Sequence, residues 1–371
     1  MNIVKSFFSI VSLLLGVALI WQWSLIHKQY SPNENQLESS DRVESYLHQH
    51  FGESAGVDSA SLHRSSIGLF VESLRFSSAH DVEVSGHVWQ NIRAADKDAI
   101  LPGVVFPDAI GGVTLEERYT QSSSDYQVHG WYFEATLRQP FEYRDYPIDH
   151  KTVWIKVKPS GFNLGHVFVP DLDSYERTRL GDIFGVSPDI VLLGWEVNES
   201  FFDYTMVDYD TDFGLHNPEH HTLIPELTFN MVLNRNLLNA FMVNITLLLV
   251  TMFLLYILVV MITSDNELKE EFDITVGNAV SSCAGLFFAI LLAHIHLREK
   301  FPSAGFVYLE FYYLLNYVFI TLAALIIFGF YNKRQESQSL VYRDDAKWVK
   351  RLYWPVYFGT ANLYTVMHFW N

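Results

Sequence analysis

Hydrophobic and polar positions divide the chain into regimes of different period. Residues 6–26 form a predominantly apolar run flanked by Lys5 and Lys28, with Trp21 and Trp23 near its outer end. From Ser31 to about His63 polar residues take over, and Asp41–Phe51 has the pattern of a short surface helix opened by a Ser or Asp cap. Between Ser65 and Arg235 the pattern is that of strands. Ile67–Phe76 and Asp81–Gln90 are joined by a short Ser-Ser-Ala-His hairpin connection, and Gln127–Leu137, Thr152–Lys158, His166–Val169, Ile190–Val197, Phe201–Val207 and Leu223–Leu233 follow. Gly, Pro, Asp and Ser clusters separate these runs and no crossover helices intervene, so the expected fold is an all-β antiparallel sandwich. Four further apolar segments, Leu237–Ile262, Ile274–Leu297, Phe311–Phe330 and Leu352–Trp370, each have membrane-spanning length and predict a four-helix transmembrane bundle.

Flanking charge orients these parts. The connection Tyr331–Arg351 holds Lys333, Arg334, Arg343, Lys347, Lys350 and Arg351, and with Lys5 it marks the inner side of the membrane. The sandwich and the C-terminus are then expected outside, in a multi-pass protein of the plasma membrane, or of the inner membrane in a Gram-negative cell. The extra N-terminal hydrophobic helix is a signal peptide or an anchor; its length and the lack of a small-x-small cleavage site favour a retained anchor. The expected domains are 1–30 (signal or anchor), 31–64 (polar linker), 65–235 (sandwich) and 236–371 (membrane domain).

The segment from Ile274 through Leu297 has no charged side chain and is lopsided. At 100° per residue, Thr275, Asn278, Ser282, Gly285, Ala289, Ala293 and His296 fall on one stripe. A small and partly polar face on a membrane helix suits tight helix packing or the lining of a watery path. The net charge of −17 disfavours nucleic acid and makes cations the natural partners. The single cysteine, Cys283, precludes a disulfide within the chain. No nucleophile–base frame, His-Glu-x-x-His helix or phosphate-binding glycine loop is present, so an enzyme is not expected.

Several short motifs then agree with one another. Tyr146-Pro147-Ile148-Asp149, within Phe141–Thr152, resembles the aromatic-Pro-hydrophobic-Asp signature loop of pentameric ligand-gated ion channels, the Cys-loop receptor superfamily, in its prokaryotic form without the bracketing cysteines. Gly194-Trp195-Glu196 resembles the Gly-Trp strand of bacterial members, Phe106-Pro107-Asp108 their Pro-Asp loop, Trp89 the tryptophan of their second strand, and Arg235 their pre-membrane arginine. The resemblance covers roughly residues 65–371. The sequence departs from it at the first spanning segment, where Asn244-Ile-Thr-Leu replaces the usual proline, and in a long acidic loop before the second.

The resemblance implies a homopentamer in the lipid bilayer, opened by a small-molecule, proton or ion agonist, with coupling residues Tyr146, Pro147, Asp149 and Arg235, the last two as an ion pair. It places the second spanning helix around the pore. One register lines the pore with Thr275, Ala279, Ser282, Leu286, Ala289 and Ala293; a second, anchored on Pro302, puts Ser281 at the inner end and Phe288 at mid-pore. The first keeps small and polar residues on one face, with Leu286 or Phe288 as a hydrophobic gate. Glu271 and Asp273 would form an acidic inner ring favouring cations, against which His294, His296, Arg298 and Lys300 count at the outer end. A non-conducting receptor of the same architecture is the alternative.

The agonist site of such a fold lies under the hairpin Asp208–His221. Tyr204, Tyr209, Phe213 and His216, with Trp131 and Tyr132, are candidates for a ligand cage, although sandwich core is the stronger reading of Trp131. Asp208, Asp210, Asp212 and Glu219 have the spacing of a calcium loop without EF-hand helices. A histidine metal site, a pH sensor and a plain polar hairpin remain alternatives, and no cofactor is required.

Overall fold

The computed structural model describes residues 2–29, 35–51, 63–161, 166–211, 222–271, 275–301, 305–331 and 341–370. The chain forms two compact units: one of Ser31–Phe141 and His150–Arg235, the other of Met1–Tyr30, Glu142–Asp149 and Asn236–Asn371.

The first unit is β-rich. Its strands are β1 (His63–Phe76), β2 (Asp81–Arg93), β3 (Val104–Val105), β4 (Thr114–Ser122), β5 (Tyr126–Arg138), β6 (His150–Pro159), β7 (His166–Pro170), β8 (Trp195–Tyr209) and β9 (Thr222–Arg235). They make a five-stranded sheet, β4-β5-β2-β1-β7, and a four-stranded sheet, β3-β6-β9-β8. Alternation drives the burial: on β2, Val82, Val84, Val88 and Ile92 point into the core while their neighbours stay partly exposed. Phe133, Leu137, Val153, Ile155, Phe202, Phe229 and Met231 fill the same interior. The Trp89 indole lies over Gly68, where a Cβ would come within 2.1 Å of the ring, and donates to Asp171 Oδ2 at 2.8 Å.

Three strand expectations need correction. Ile190–Val197 and Phe201–Val207 are not separate strands; β8 runs continuously from Trp195 through a register shift between Val197 and Glu199, and the residues before it are loop. The shift absorbs the extra residue that looked like a break. Strand β4, Thr-Leu-Glu-Glu-Arg-Tyr-Thr-Gln-Ser, was not foreseen because it is an edge strand exposed over most of its length, with no apolar alternation to betray it. The sandwich is also not purely antiparallel, since β7 pairs with β1 in parallel register, His63 opposite His166. The short helix α2 (Ser40–Phe51) forms as expected, with Ser39 Oγ accepting from the Arg42 amide.

The second unit is helical: α1 (Asn2–Lys28), α3 (Leu237–Val260), α4 (Asn266–Glu271), α5 (Val276–Lys300), α6 (Tyr308–Tyr331) and α7 (Arg343–Phe369). Among the described residues, three helices are long and apolar enough to cross a membrane, Phe7–Lys28 of α1, Val276–Lys300 and Tyr308–Tyr331, and a shorter apolar stretch, Asn244–Val260, lies in α3. Hydrogen bonds tie the helices: Asn316 Nδ2 donates to Leu248 O and Tyr353 Oη to Met252 O, both backbone carbonyls, and Tyr357 Oη donates to the Asn316 side-chain oxygen Oδ1.

One buried polar network in the β unit makes stability depend on pH. Gln90 Nε2 donates to Ser65 Oγ at 2.9 Å, which leaves the Ser65 proton for His166 Nε2 at 2.7 Å. Only an unprotonated imidazole nitrogen can accept it. Burial, then the neighbouring His63, push the His166 pKa down to about 4, against a smaller upward pull from Asp96. Between pH 6.5 and 4 the unfolded chain therefore binds a proton that the folded chain does not. Stability should fall as pH drops through that window, by up to about 1.4 kcal/mol per unit. The urea midpoint of the purified chain, measured from pH 7 to 4, should fall, and His166→Gln should flatten that part of the dependence.

Candidate functional site

Helix α5 begins at Thr275, whose Oγ1 accepts from the Asn278 amide at 3.1 Å, and its buried side is marked by Cys283, Ile290 and Leu297 at seven-residue spacing. This side meets α6: Phe287 and Tyr317 rings lie 5.1 Å apart, and His294 stacks on Tyr313 at 5.1 Å. Of the expected pore-lining residues, Thr275, Ser282 and Ala289 are exposed, while Ala279, Leu286 and Ala293 are half-buried, turned toward the packed side. The face directly opposite Cys283, at about 100° per residue, carries Ser281, Gly285, Phe288 and Leu292. Phe288 is 60% exposed and Leu292 67%. Leu286 is thus the less accessible of the two gate candidates, and the uncovered face corresponds to the register anchored on Pro302. Glu271, at the end of α4, is exposed, and Asp273 lies outside the described residues.

The Tyr146–Asp149 motif acquires a definite setting. The chain leaves the β unit after Phe141 and re-enters it at His150; Glu142–Asp149 between them belongs to the helical unit. Tyr143, Tyr146, Pro147 and Ile148 are buried there, and the Tyr146–Pro147 peptide is cis. Phe301, just past α5, packs between Tyr143 and Tyr146 with ring centroids 4.4 and 4.8 Å away. The loop carbonyls also serve α6. The first amides of a helix have no partner inside it; here Tyr308 N–H donates to Arg144 O at 2.7 Å and Leu309 N–H to Tyr146 O at 3.2 Å. Asn244 Nδ2 of α3 donates to Tyr146 Oη at 2.9 Å, and His368 Nε2 at the end of α7 lies 2.8 Å from Asp145 Oδ1. One eight-residue loop, Glu142–Asp149, therefore touches α3, the end of α5, α6 and α7.

Beside it, Glu310 is 2% exposed, takes the Val307 amide at 2.8 Å, and lies 3.0 Å from Arg298 Nε and 3.3 Å from His294 Nε2, so the end of α5 is fastened to the start of α6. Phe301, Tyr308, Glu310 and His368 were not legible as site residues. Asn244 was visible only as the residue where a proline was expected. Asp149 is buried in the helical unit, whereas Arg235 ends the β unit with its guanidinium 4.0 Å from the centroid of the Trp195 ring. Their pairing stays a proposal.

The ligand candidates separate. Tyr204 is 5% exposed; its hydroxyl donates to Phe168 O at 2.8 Å and its ring stacks on Tyr46 at 5.2 Å. It belongs to the packed interior, not to an open cage. Trp131 is likewise buried. Tyr132 is half-exposed, with Arg118 5.4 Å from its ring centroid. Phe213, His216, Asp212 and Glu219 lie outside the described residues, as does the side chain of Asp208; Asp210 is exposed. Among the described residues no group of three or more His, Cys, Asp or Glu is placed to hold a metal ion. Tyr209 does sit in a polar cluster. Its hydroxyl donates to Glu226 Oε1 at 2.6 Å, and Lys158 Nζ reaches the same oxygen at 2.5 Å and the Tyr209 hydroxyl. Burial works against the Lys158 ammonium, but the hydrogen bonds to Glu226 and Tyr209 outweigh it and hold its pKa above the ordinary value.

A scan against models of known protein families finds no match for the chain, and a search of curated proteins finds none.

Glu226 is 3% exposed, and Lys158 Nζ is the cation against its carboxylate. Lys158→Met should cost about 3 kcal/mol, because a buried carboxylate remains with the Tyr209 hydroxyl but without its cation. Lys158→Met with Glu226→Leu should recover most of that loss. Urea denaturation of the single and double variants at pH 7 checks both.

Proposed function

We propose that the chain is one subunit of a pentameric ion channel whose pore is lined by the uncovered face of α5, and that an event in the β unit opens it. The supporting observation is the polarity of that face. Only 11% of the α5 spanning window is buried, against 44% for α6. The residues left uncovered include Asn278, Ser281, Ser282, His296 and Glu299. Polar groups turned toward hydrocarbon are costly, and on a spanning helix they face a protein neighbour or water. A closed ring of identical subunits supplies both. The number five is taken from the resemblance of the Tyr146–Asp149, Gly194–Glu196 and Phe106–Asp108 motifs.

In this reading Ser281, Gly285, Phe288 and Leu292 face the axis, with Ser282 and Ala289 toward the neighbouring subunit. A ring of Phe288 closes the pore by excluding water, and exposed Glu271 at the inner mouth biases it toward cations. The loop Glu142–Asp149 is the coupling element. It is continuous with β5 and β6, bonded to α3, α6 and α7 and packed on Phe301 at the end of α5, so a displacement of those strands reaches four helices through one peptide segment. The topology follows: β unit and C-terminus outside, with Lys5, Lys347, Lys350 and Arg351 inside.

Planar-bilayer recording of the purified chain tests this without knowledge of the agonist. Phe288→Ala should raise resting current at least several-fold, as an apolar constriction widens. Adding Ser281→Lys to it should cut cation conductance tenfold or more, and Ser282→Lys should cut it less. Equal effects of the two lysines would return the pore to the other register. Silence of every variant, with each shown to be a folded oligomer, would leave a non-conducting receptor. For coupling, Asn244→Leu and His368→Phe each remove one tie to the loop, at about 1 kcal/mol apiece. Each should shift the agonist or pH midpoint of current while leaving single-channel conductance unchanged.

A further inference from the structure

We infer that residues 2–28 stay in the mature protein as a membrane helix, and that Trp23 on this helix holds Tyr308, the residue whose amide grips the Glu142–Asp149 loop. Helix α1 is amphipathic in an unusual sense: both sides are apolar, but only one is covered. Leu19, Trp23 and Ile26 are buried on a single stripe, while Phe7, Leu13, Leu14, Val17, Ile20 and Trp21 are exposed. The covered stripe lies along α7 in parallel: Phe8 meets Trp348 at 6.3 Å, and Gly16 lies against the Phe358 ring. Parallel packing puts both N-termini on one side of the membrane. Lys5 and the basic start of α7, with Arg343, Lys347, Lys350 and Arg351, require the same orientation from charge alone.

Two polar contacts distinguish this stripe from a greasy adhesion. Asn362 Nδ2 donates to the Leu15 carbonyl at 2.9 Å, although that carbonyl is interior to α1. Trp23 Nε1 donates to Tyr308 Oη at 2.8 Å, and the Trp23 ring packs against Phe241 and Tyr312 at 4.8 and 5.9 Å. Tyr308 Oη further meets Thr365 Oγ1 and Tyr312 Oη, both at 2.6 Å. Tyr308 therefore joins four parts through two groups: its hydroxyl serves α1, α6 and α7, and its amide serves the loop through Arg144 O. A leader peptide destined for removal would leave Tyr308 and Asn362 facing lipid with fewer partners. The arrangement is that of a permanent helix, and Trp23 is a positioning residue acting through Tyr308. None of this depends on whether the protein conducts.

Intact mass of protein purified from membranes tests the first part. The expected mass includes residues 2–28; an N-terminus beyond residue 28 overturns the inference. Melting in detergent tests the second, with Trp21 as control because it is 63% exposed and Trp23 is 6% exposed. Trp23→Phe should lower Tm by about 2–4 °C, and Trp21→Phe by about 1 °C or less on the same scale. In a Tyr308→Phe background the Trp23→Phe shift should shrink to less than half, since the acceptor is gone. Equal shifts at the two tryptophans, or a Trp23 shift undiminished by Tyr308→Phe, would overturn the role given to Trp23.

Discussion

A polar group without water must find a partner in the protein, and this constraint arranges the helical unit. Helix interiors satisfy their own backbone, so what remains are side chains and helix ends. Each long helix resolves them locally. Asn316 and Tyr353 add second hydrogen bonds to α3 carbonyls, Tyr357 takes the remaining Asn316 oxygen, and Thr365 returns its hydroxyl to Ala361 O. The first turn of α6 cannot be served this way, and the Arg144 and Tyr146 carbonyls complete it. The loop is thus held by backbone groups, which do not vary with side chain, and its aromatic residues add shape around Phe301. Helix α5 is the exception: its buried side packs on α6, and its other side is left uncovered, with Asn278, Ser281, Ser282 and His296 beside Phe288 and Leu292.

Much of the β unit was legible because half-buried strands write their burial into alternation. β2, β5, β6 and β9 were located nearly to their ends. The failures have one cause. β4 is exposed on both faces and β3 has two residues, so neither leaves a periodic trace, and the bulge in β8 interrupted a pattern that the backbone carries straight through. The parallel β1–β7 pair joins segments about 100 residues apart, a separation that periodicity does not encode.

The candidate site was legible in outline only. The stripe Thr275, Asn278, Ser282, Gly285, Ala289, Ala293 and His296 is exposed except at Ala293, whereas the pore register taken from the resemblance also included half-buried Ala279 and Leu286. Ala279, Leu286 and Ala293 lie toward the packed side, where the two alanines allow close approach. Phe288 and Leu292 on the open face look like core residues in a sequence. Burial, not composition, separates the two faces. The loop's ties to Asn244, Tyr308 and His368 were out of reach for another reason: each connects the motif to a residue about 100 or more positions away.

An aromatic cage for an ammonium group is present, but the chain fills it. Lys151, buried on β6, has its Nζ 4.4 Å from the Phe141 ring, 4.9 Å from Phe76 and 5.4 Å from Trp195. Cation–π attraction of this kind is worth about 2 kcal/mol or more once desolvated. Arg235 lies over the same indole, and the β8–β9 register sets Trp195 opposite Arg235. Two cations on one tryptophan pin the ends of β6, β8 and β9 together. Phe141 of that cage is the last residue before the loop, and Arg235 is the last of its unit before α3. Both points at which the chain passes from the β unit toward α3 and the loop are therefore anchored to one buried cluster. A rearrangement of β6, β8 or β9 would have to break these cation–π contacts or carry Phe141 and Arg235 with it.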